Sequence, residues 1–378
     1  MNLILQKSCF VKNLTEAIKH YGPDNIQTWF SENNGELLFT LILLKFKKQY
    51  KEMKKEYIEL LVCPETGENL KFVQKNNNKD NGYLVNESNT HEYQVVNSIP
   101  RFVPLSNYAD NFGMQWNNFP KTQLDSYSGQ SISSDRFWGS TNWPKESMKN
   151  KLVLDIGCGS GRFSEIALSS GAIVVGIDYS NAVDACWNNL KSNPNFFVIQ
   201  ADIYNLPFSE NSFDYIYSLG VLQHTPDVKK AFDALHKLLK NNGEICVDFY
   251  EKSFKSSLLP KYWLRPFTKN IDNKKLFKWL KLVVPYLLNL SIFLSYVPLL
   301  GKYLRRLVPV ANYKGIHPLN KKQIKEWALL DTNDWLSTAY DNPQNSRTIY
   351  RWMEEAELKN IEVLKVSHLV GRGKRILS

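Results

Sequence analysis

The sequence predicts an α/β fold in which a doubly wound, Rossmann-like parallel sheet carries helices on both faces. From residue 151 onward, apolar segments of strand length alternate with segments of helix length. A glycine-rich turn follows the first strand, and an acidic residue follows the second and the third. Alternating strands and helices give parallel sheets covered on both faces, and ligands bind such sheets at the carboxyl ends of the strands.

The strands and helices of this fold can be placed from their apolar periodicity. Apolar runs of strand length lie at residues 152–156, 173–177, 196–199, 213–217 and 244–250. Segments of helix length lie at residues 163–170, 228–239 and 347–358. Asn242 and Gly243 are typical of the turn after a helix, and a strand at 360–366 is expected to close the sheet.

The length of 378 residues exceeds that of one ordinary domain core. We predict a helical segment at 1–59, a ribbon-like domain at 60–105, the α/β core at 106–250 and 346–378, and an inserted helical cap at 251–345. The five cysteines are scattered and form no Cys-x-x-Cys pair. This pattern favours the reducing cytoplasm over a disulfide-bonded exterior.

Positive charge is concentrated in the predicted cap. Residues 251–325 contain 16 Lys or Arg and two acids, a net +14, whereas the whole chain carries +10. The rest of the chain therefore sums to 10 − 14 = −4. Local basicity indicates an anionic partner near the cap, and a solvated basic surface without a partner is the alternative.

A long uncharged stretch also lies within the predicted cap. Residues 282–301 carry no charge and are numerous enough to cross a bilayer. Pro285 and Pro298 interrupt the stretch, and an interior proline disfavours a continuous helix. We therefore expect a pair of short buried or interfacial helices, with peripheral contact to a membrane surface as a further alternative.

Short strand-like pieces separated by turn residues precede the core. Two segments, Leu61-Val-Cys-Pro-Glu-Thr-Gly67 and Glu92-Tyr-Gln-Val-Val-Asn-Ser-Ile-Pro-Arg-Phe-Val-Pro104, resemble the small zinc-ribbon-like domain related to Trm112. In that family two Cys-x-x-Cys pairs hold zinc, and the resemblance places the four positions at Cys63, Thr66, Asn86 and Asn89. Only one of the four is a thiol, so we predict a degenerate ribbon without metal.

The turn after the first strand, in Val153-Leu-Asp-Ile-Gly-Cys-Gly-Ser-Gly-Arg-Phe163, has glycines at alternate positions. Such glycines let the backbone pass close to a ligand, and the following helix N-terminus suits an anionic group. The third glycine comes one place earlier than in the dinucleotide-binding fingerprint. With Asp155 in the leading strand, the segment resembles motif I of class I S-adenosylmethionine-dependent methyltransferases.

The order of the later motifs strengthens this resemblance. Asp178 ends the second strand, Asp202 follows the third, and Ser218-Leu-Gly-Val-Leu-Gln-His-Thr-Pro-Asp227 follows the fourth. The resemblance covers residues 106–250 and 346–378. It implies a seven-stranded methyltransferase sheet that binds S-adenosylmethionine, releases S-adenosylhomocysteine and needs no metal.

The resemblance also implies a role for individual residues. Asp178 accepts hydrogen bonds from the ribose hydroxyls, Asp202 takes the adenine amino group, and Tyr179 and Ile203 pack on the two adenine faces. For either acid alone, a helix cap or a surface charge is the alternative. The cofactor-binding residues expected from the motifs are Asp155, Gly157, Cys158, Gly159, Gly161, Asp178, Tyr179, Asp202, Ile203 and Leu219.

Two segments before the sheet, 111–119 and 135–138, resemble the leader that precedes motif I in methyltransferases with an N-terminal ribbon. We expect Arg136 to pair with the methionine carboxylate of the cofactor, because guanidinium and carboxylate match as forks. Gln115 is expected to line the same side. Packing of the leader on the sheet is the alternative.

Methyl transfer is an in-line displacement that depends mainly on positioning and on exclusion of water. A base is needed only where the acceptor must lose a proton. His224, near the carboxyl end of the fourth strand, is the candidate base, with orientation of the cofactor as its alternative role. Asp334 and Tyr340, in the polar segment 330–343, are candidates for the acceptor side of the catalytic site.

These observations predict a cytoplasmic methyltransferase, with peripheral membrane contact as an option. The expected acceptor is a small-molecule, glycosyl or lipid-type compound that is anionic or carrier-linked and is methylated on oxygen. An RNA methyltransferase acting on tRNA is the alternative, although no aromatic-plus-basic nucleic-acid motif is present. A non-catalytic scaffold is the other alternative, and the intact cofactor motifs argue against it.

Overall fold

The computed structural model describes residues 55–75, 78–104, 107–253 and 259–376. The helical segment predicted at the N-terminus lies outside these residues, except for a short helix at Lys55–Ile58.

A sheet of eleven strands organises the described part of the chain. In chain order the strands are β1 (Leu70–Lys75), β2 (Asn78–Asn86), β3 (Glu92–Val96), β4 (Ile99–Arg101), β5 (Leu152–Ile156), β6 (Ile173–Asp178), β7 (Phe196–Gln200), β8 (Phe213–Ser218), β9 (Leu239–Phe249), β10 (Lys359–Lys365) and β11 (Leu369–Lys374). Their order in the sheet is β1-β2-β3-β4-β7-β6-β5-β8-β9-β11-β10. Strands β5 to β9 pair in parallel, as the α/β prediction requires.

The helices form the layers around this sheet. They are α1 (Lys55–Ile58), α2 (Asp110–Asn118), α3 (Asp125–Ser128), α4 (Ile132–Thr141), α5 (Arg162–Ser169), α6 (Ala182–Leu190), α7 (Val228–His236), α8 (Pro260–Thr268), α9 (Asn273–Leu294), α10 (Gly301–Leu304), α11 (Lys321–Ser337) and α12 (Ser346–Glu355). Alternate residues of the central strands enter different hydrophobic clusters. Leu154 and Val175 belong to one cluster, while Val153 and Val174 belong to the other. Both faces of the sheet are therefore buried, which explains the continuous apolar runs of the strands.

The fifth parallel strand begins earlier than predicted. Helix α7 ends at His236, and Leu239 already pairs with Phe213 of β8. Asn242 and Gly243 lie inside β9, where Asn242 has a φ of 64° and the register of the pairing shifts. The turn signal was therefore a strand irregularity, and the predicted helical end at 239 was wrong.

The sheet closes with a hairpin where one strand was expected. Strand β11 runs antiparallel between β9 and β10. Its sequence contains Gly371 and Gly373, which weaken a strand pattern. An added Cβ at Gly371 would come within 2.8 Å of the Ile349 side chain, so close packing against α12 accounts for that glycine.

The four ribbon strands extend the same sheet. They form an antiparallel meander, and β4 then pairs in parallel with β7. Arg101 fixes this junction, because its guanidinium donates to Gln200 Oε1 and to Asp184 Oδ1, both at 2.7 Å.

The insertion after β9 is helical, as predicted. The length of its longest helix was not predicted. Helix α9 continues for 22 residues through Pro285 and ends before Pro298. A proline removes one backbone hydrogen bond to the carbonyl four residues earlier. That residue is Lys281, which is exposed, so its carbonyl can bind water. The expected pair of short helices was wrong for this physical reason.

Candidate functional site

The turn between β5 and α5 requires glycine at three positions. Gly157, Gly159 and Gly161 have φ values of 74°, 53° and 93°, which only glycine adopts readily. A Cβ at Gly157 would come within 2.5 Å of the Val221 side chain, and one at Gly159 within 3.1 Å of the Trp116 indole. The backbone of this turn therefore lies close to Val221 and Trp116, which also line the cavity.

Asp178 at the end of β6 braces the turn from the neighbouring strand. Its Oδ2 accepts a hydrogen bond from the Gly159 N–H at 3.0 Å. Its Oδ1 accepts from the backbone N–H and the hydroxyl of Ser180, at 2.8 and 2.7 Å. Burial raises the pKa of Asp178, and these hydrogen bonds oppose the rise. The carboxylate is thus fixed in orientation while still lining a cavity.

That cavity has a volume of about 840 Å³ and opens at the carboxyl ends of the strands. It is bounded by the glycine turn, by the leader helices α2 and α4, and by the inserted helix α11. The predicted residues that line it are Gln115, Arg136, Gly157, Cys158, Gly159, Asp178, Tyr179, Ile203, Leu219, His224 and Asp334. The structure therefore brings most of the predicted site residues to one cavity, large enough for a nucleoside-sized ligand and a second molecule.

Four predicted site residues do not line the cavity: Asp155, Gly161, Asp202 and Tyr340. Asp155 is buried behind the turn and accepts a hydrogen bond from Ser164 Oγ at 2.6 Å. Burial raises the pKa of Asp155 to about 7. Asp155 therefore supports β5 and α5 from within the core.

Asp202 and Gly161 lie next to lining residues. Asp202 Oδ1 accepts from the backbone N–H of Tyr204 at 2.9 Å, which is a local turn rather than the helix cap or surface charge given as its alternative. Gly161 begins α5, and a Cβ there would come within 2.6 Å of Leu190. Position 161 therefore needs glycine both because of its positive φ and because α5 and α6 pack closely there.

Arg136 forms an ion pair with a carboxylate of the protein itself. Arg136 Nη2 donates to Asp248 Oδ2 at 2.7 Å, and Asp248 also accepts from the backbone N–H of Gly220. Asp248 is fully buried. A buried ion pair of this kind is costly to break, and the expected contact between Arg136 and the methionine carboxylate stays a prediction.

Arg162, the first residue of α5, is a half-buried cation on the cavity wall. Its Nε donates to Ser133 Oγ and its Nη1 to Gln123 Oε1, both at 2.8 Å. These partners are neutral, and Arg162 forms no ion pair with an Asp or Glu of the described residues. Burial, together with the nearby Arg136, lowers the pKa of Arg162 to about 9. The arrangement favours an anion in the cavity beside this side chain.

His224 lies on the cavity wall in the turn after β8. Its Nδ1 is 3.0 Å from the backbone carbonyl oxygen of Tyr340. A carbonyl can only accept, so Nδ1 carries the proton and Nε2 of the neutral ring has a free lone pair. Tyr340 thus contributes its backbone, while its ring is partly exposed and packs edge-on against Tyr108.

Carboxylates of α11 approach the cavity from the opposite side. Burial raises the pKa of Asp334, and the nearby His224 and Lys261 oppose the rise. The Oδ1 atom of Asp334 has no hydrogen-bond partner among the described residues. Asp331 accepts from the Tyr313 hydroxyl and from Gln123 Nε2. Asp331 and Asp334 thus provide hydrogen-bond acceptors on the part of the cavity wall that α11 forms.

The leader and the insertion are held together around the cavity by buried hydrogen bonds. Asn333 Nδ2 donates to Gln115 Oε1 at 2.9 Å, and Trp327 Nε1 donates to the carbonyl of Thr122 at 2.8 Å. Gln115 therefore serves as a link between α2 and α11 as well as a lining residue.

Several lining residues were not singled out by the sequence: Tyr108, Phe112, Arg162, Tyr250, Lys261 and Trp327. The sequence carried a usable signal for one of them, Arg162, and for Asp248, the ion-pair partner of Arg136. An arginine at the first position of a helix opposes the helix dipole, which marks Arg162. An acid within an otherwise apolar strand needs a buried partner, which marks Asp248. The aromatic residues carried no such signal, because aromatic side chains are common in any core.

The sheet order, the glycine turn and the strand-end carboxylate agree with the arrangement that the sequence resemblance to class I S-adenosylmethionine-dependent methyltransferases implies. Residues 154–247 match the protein family described as "Methyltransferase domain".

Individual relatives differ in what their names say they methylate. The chain is 33% identical to phosphoethanolamine N-methyltransferase 2 of Caenorhabditis elegans over 110 residues, which cover 28% of this chain and 25% of that protein. It is 33% identical to the ubiquinone biosynthesis O-methyltransferase of Coxiella burnetii over 113 residues, covering 29% of this chain and 48% of that protein. The chain thus spans less than half the length of either relative.

One solved structure is similar over a longer stretch. It is an S-adenosylmethionine-dependent methyltransferase from Methanococcus maripaludis, with 13% identity and a TM-score of 0.40, covering 73% of this chain and 97% of that chain. Among the described residues of the present chain there is no group of three His, Cys, Asp or Glu side chains that could hold a metal ion. The predicted absence of a metal requirement stays a prediction.

Proposed function

We propose that this protein transfers a methyl group from S-adenosylmethionine to an oxygen of an anionic small-molecule, glycosyl or lipid-type acceptor. One observation carries the proposal: a single cavity is lined by the glycine turn and Asp178 and also by Asp334 and several cations. A donor and an acceptor can thus meet in one cavity, as an in-line displacement requires.

The residues at the turn fit the cofactor. The Ser160 hydroxyl has no hydrogen-bond partner among the described residues. This hydroxyl and the backbone of the closely packed glycines provide polar groups for the cofactor. Asp178 accepts hydrogen bonds from the ribose hydroxyls, and Tyr179 and Ile203 pack against the adenine. Asp202 keeps its predicted role toward the adenine amino group as a proposal. Leu219, Gly157 and Cys158 contact the rest of the nucleoside. When bound, S-adenosylmethionine supplies a methyl group that its sulfonium already activates.

The chain's own contribution to the transfer is positioning and removal of a proton. His224 Nε2 is the proposed base, because the carbonyl of Tyr340 holds the proton on Nδ1. Asp334, whose Oδ1 lacks a protein partner, accepts a hydrogen bond from the acceptor and orients it. Arg162 binds a carboxylate or phosphate, and Arg136 keeps its predicted role toward the methionine carboxylate as a proposal.

The anionic character of the acceptor rests on cations at the far side of the cavity. Lys302, Arg305 and Arg306 line it there, and Lys261 lies deeper. Lys261 is largely buried and faces the rings of Tyr250 and Tyr262, with both ring centroids 4.7 Å from its Nζ. Desolvation lowers the pKa of Lys261. Asp341, whose Oδ2 is 3.6 Å from Lys261 Nζ, opposes this shift, and a phosphate or carboxylate on the acceptor would oppose it further.

The finer resemblance of residues 60–105 to a degenerate Trm112-like ribbon is part of the proposal. It is supported by Asn86, which is fully buried at a position where the family has a thiolate. Its Nδ2 lies within hydrogen-bond distance of oxygens of Glu68, Ser88 and Thr90, at 2.6, 2.9 and 2.9 Å, and its two hydrogens are shared among them. Its Oδ1 accepts from the backbone N–H groups of Thr90 and His91. This hydrogen-bond network would take the place of the metal.

We also propose that the protein acts in the cytoplasm and contacts a membrane peripherally.

The proposed activity is tested by transfer of a labelled methyl group from S-adenosylmethionine to fractionated cell extract. Label in an anionic organic-phase or small-molecule fraction supports the proposal. Label in RNA, with binding that weakens steeply with salt, supports the RNA alternative. Absence of both transfer and S-adenosylhomocysteine binding supports the scaffold alternative.

A further inference from the structure

Helix α9 carries two separate apolar stripes. Its buried stripe includes Leu276, Leu280, Val284 and Leu288, which pack in a cluster with residues of α11. Its exposed stripe consists of Trp279, Leu282, Tyr286, Leu290 and Phe293. Leu282 and Tyr286 each lie two positions after a buried residue, which is roughly 200° around a helix of about 3.6 residues per turn. One apolar side therefore serves the fold, and the other faces outward.

The exposed stripe continues beyond the helix. Between α9 and the end of α10 the outward-facing apolar residues are Tyr296, Leu299, Leu300, Tyr303 and, just after, Leu307. Leu299 is 96% exposed and Tyr286 is 77% exposed. A soluble protein seldom leaves so many large apolar side chains together in water, and such surfaces mark interaction sites.

Lysines run beside the stripe. Lys274, Lys278 and Lys281 are exposed and are separated by four and three residues, so they form a row along one side of α9. Asp272 at the N-cap is the nearest acid along the chain. A helix with aromatic and aliphatic residues on one side and lysines next to them is typical of segments that lie in the interface of an anionic bilayer.

A transmembrane position for α9 does not fit the same contacts. By length and composition α9 is apolar enough to cross a membrane. However, its buried stripe packs on α11, and α11 supplies Asp331 and Asp334 to the cavity. Crossing the bilayer would place the four lysines of its first turns in hydrocarbon. The helix therefore lies along the surface of a bilayer rather than across it.

The cavity opens beside this surface. Lys302, Arg305 and Arg306 line the cavity and belong to the segment that directly follows α9. Ser291 Oγ donates to the carbonyl of Arg305 at 3.2 Å, so the C-terminal part of α9 contacts the cationic rim. An amphiphile with an anionic head group could thus pass from a membrane to the cavity without crossing open water.

We propose that the outer face of 263–307 is a docking surface for an anionic lipid bilayer and that it presents the cavity mouth to the membrane. This inference deepens the proposed function, on which it rests for the identity of the acceptor. The bilayer is the occupant because apolar exposure and positive charge coincide, whereas a protein partner or a second copy would not require the lysine row.

The test is co-sedimentation of the full-length chain with vesicles of phosphatidylcholine and phosphatidylglycerol in a 7:3 ratio, and with phosphatidylcholine alone. We expect binding to the anionic vesicles and much weaker binding to the neutral ones. The double variant Tyr286→Ser with Phe293→Ser should bind at least about tenfold more weakly. Lys274→Gln and Lys278→Gln should each weaken binding about fivefold. The matched controls are Tyr127→Ser and Tyr350→Ser, which alter exposed tyrosines on other helices and should bind like the wild type.

The proposal is overturned if the wild-type chain stays in solution with anionic vesicles, or if the double variant binds them unchanged. It is also overturned if the same substitutions instead dissociate a dimer in sedimentation velocity. Calorimetry with S-adenosylhomocysteine on the same proteins separates the two proposals. Intact cofactor binding without vesicle binding refutes the docking surface alone, whereas vesicle binding without cofactor binding refutes the proposed function alone.

Discussion

Asp178→Asn tests whether the strand-end carboxylate binds the cofactor ribose or only braces the glycine turn. A hydrogen bond to a charged group contributes about 1.5–3 kcal/mol. Asn keeps one neutral acceptor, but its amide group would face either the Gly159 N–H or the Ser180 N–H, where only an acceptor fits. Losing a charged bond and creating this conflict should cost about 2–4 kcal/mol, so Kd for S-adenosylhomocysteine should rise roughly 30- to 700-fold.

The control for this prediction is Ser180→Ala. It removes one of the three hydrogen bonds that Asp178 accepts and leaves the carboxylate charge in place. Ser180 does not line the cavity, and the backbone N–H groups of Gly159 and Ser180 still hold the carboxylate, so Kd should change by about fivefold or less. Isothermal titration calorimetry gives both values, and thermal melting shows whether each variant is folded. Equal Kd values for Asp178→Asn and the wild type, or an equal loss in Ser180→Ala, would refute the direct role.

Three further predictions follow from the site. His224→Ala should lower the methyl-transfer rate by about 10²- to 10⁴-fold while leaving S-adenosylhomocysteine affinity unchanged; an unchanged rate would exclude the base. Arg162→Gln should weaken binding of the anionic ligand beside it by about tenfold or more, with partial recovery in Arg162→Lys; equal behaviour of Gln, Lys and wild type in titrations of cofactor product and acceptor would contradict this. Burial raises the pKa of Asp155 to about 7, above an unfolded value near 4. The stability it contributes is therefore complete below about pH 4 and is lost as the pH rises through about 7. Asp155→Asn should then match the wild type in urea unfolding at pH 4 and exceed it by up to about 4 kcal/mol at pH 8; a larger advantage at pH 4 would contradict the assignment.

The strand-end motifs could be predicted because they depend on local sequence. Gly157 and Gly159 must adopt positive φ, and the position of Asp178 after an apolar strand places it at the carboxyl end of the sheet. These requirements act over a few neighbouring residues, so the glycine turn and the carboxylate were assigned correctly to one cavity.

The partners of the charged residues could not be predicted in the same way. Arg136 pairs with Asp248, which lies 112 positions later in the chain, and no local pattern connects the two. Tyr340 contributes a backbone carbonyl, a group that every residue has. Which polar group meets which ligand is thus decided by tertiary packing of the leader and the insertion over the sheet.

The insertion shows a third limit of sequence reasoning. A proline within 282–301 predicted a break, yet α9 continues through Pro285 because the freed carbonyl belongs to exposed Lys281. Hydropathy also could not separate the stripe that packs on α11 from the stripe that faces outward, because both are equally apolar. Only the structure distinguishes the side that stabilises the fold from the side available to a partner.

The most direct test of the central claim is a crystal structure of the full chain grown with S-adenosylhomocysteine. We predict that the ribose hydroxyls contact Asp178, that the adenine lies between Tyr179 and Ile203, and that the Arg136–Asp248 ion pair stays closed. Arg162 should contact an anionic group, either the carboxylate of the cofactor product or a bound anion in the acceptor compartment. Electron density for the ligand elsewhere on the chain, or a cavity that stays without it at saturating concentration, would contradict the account.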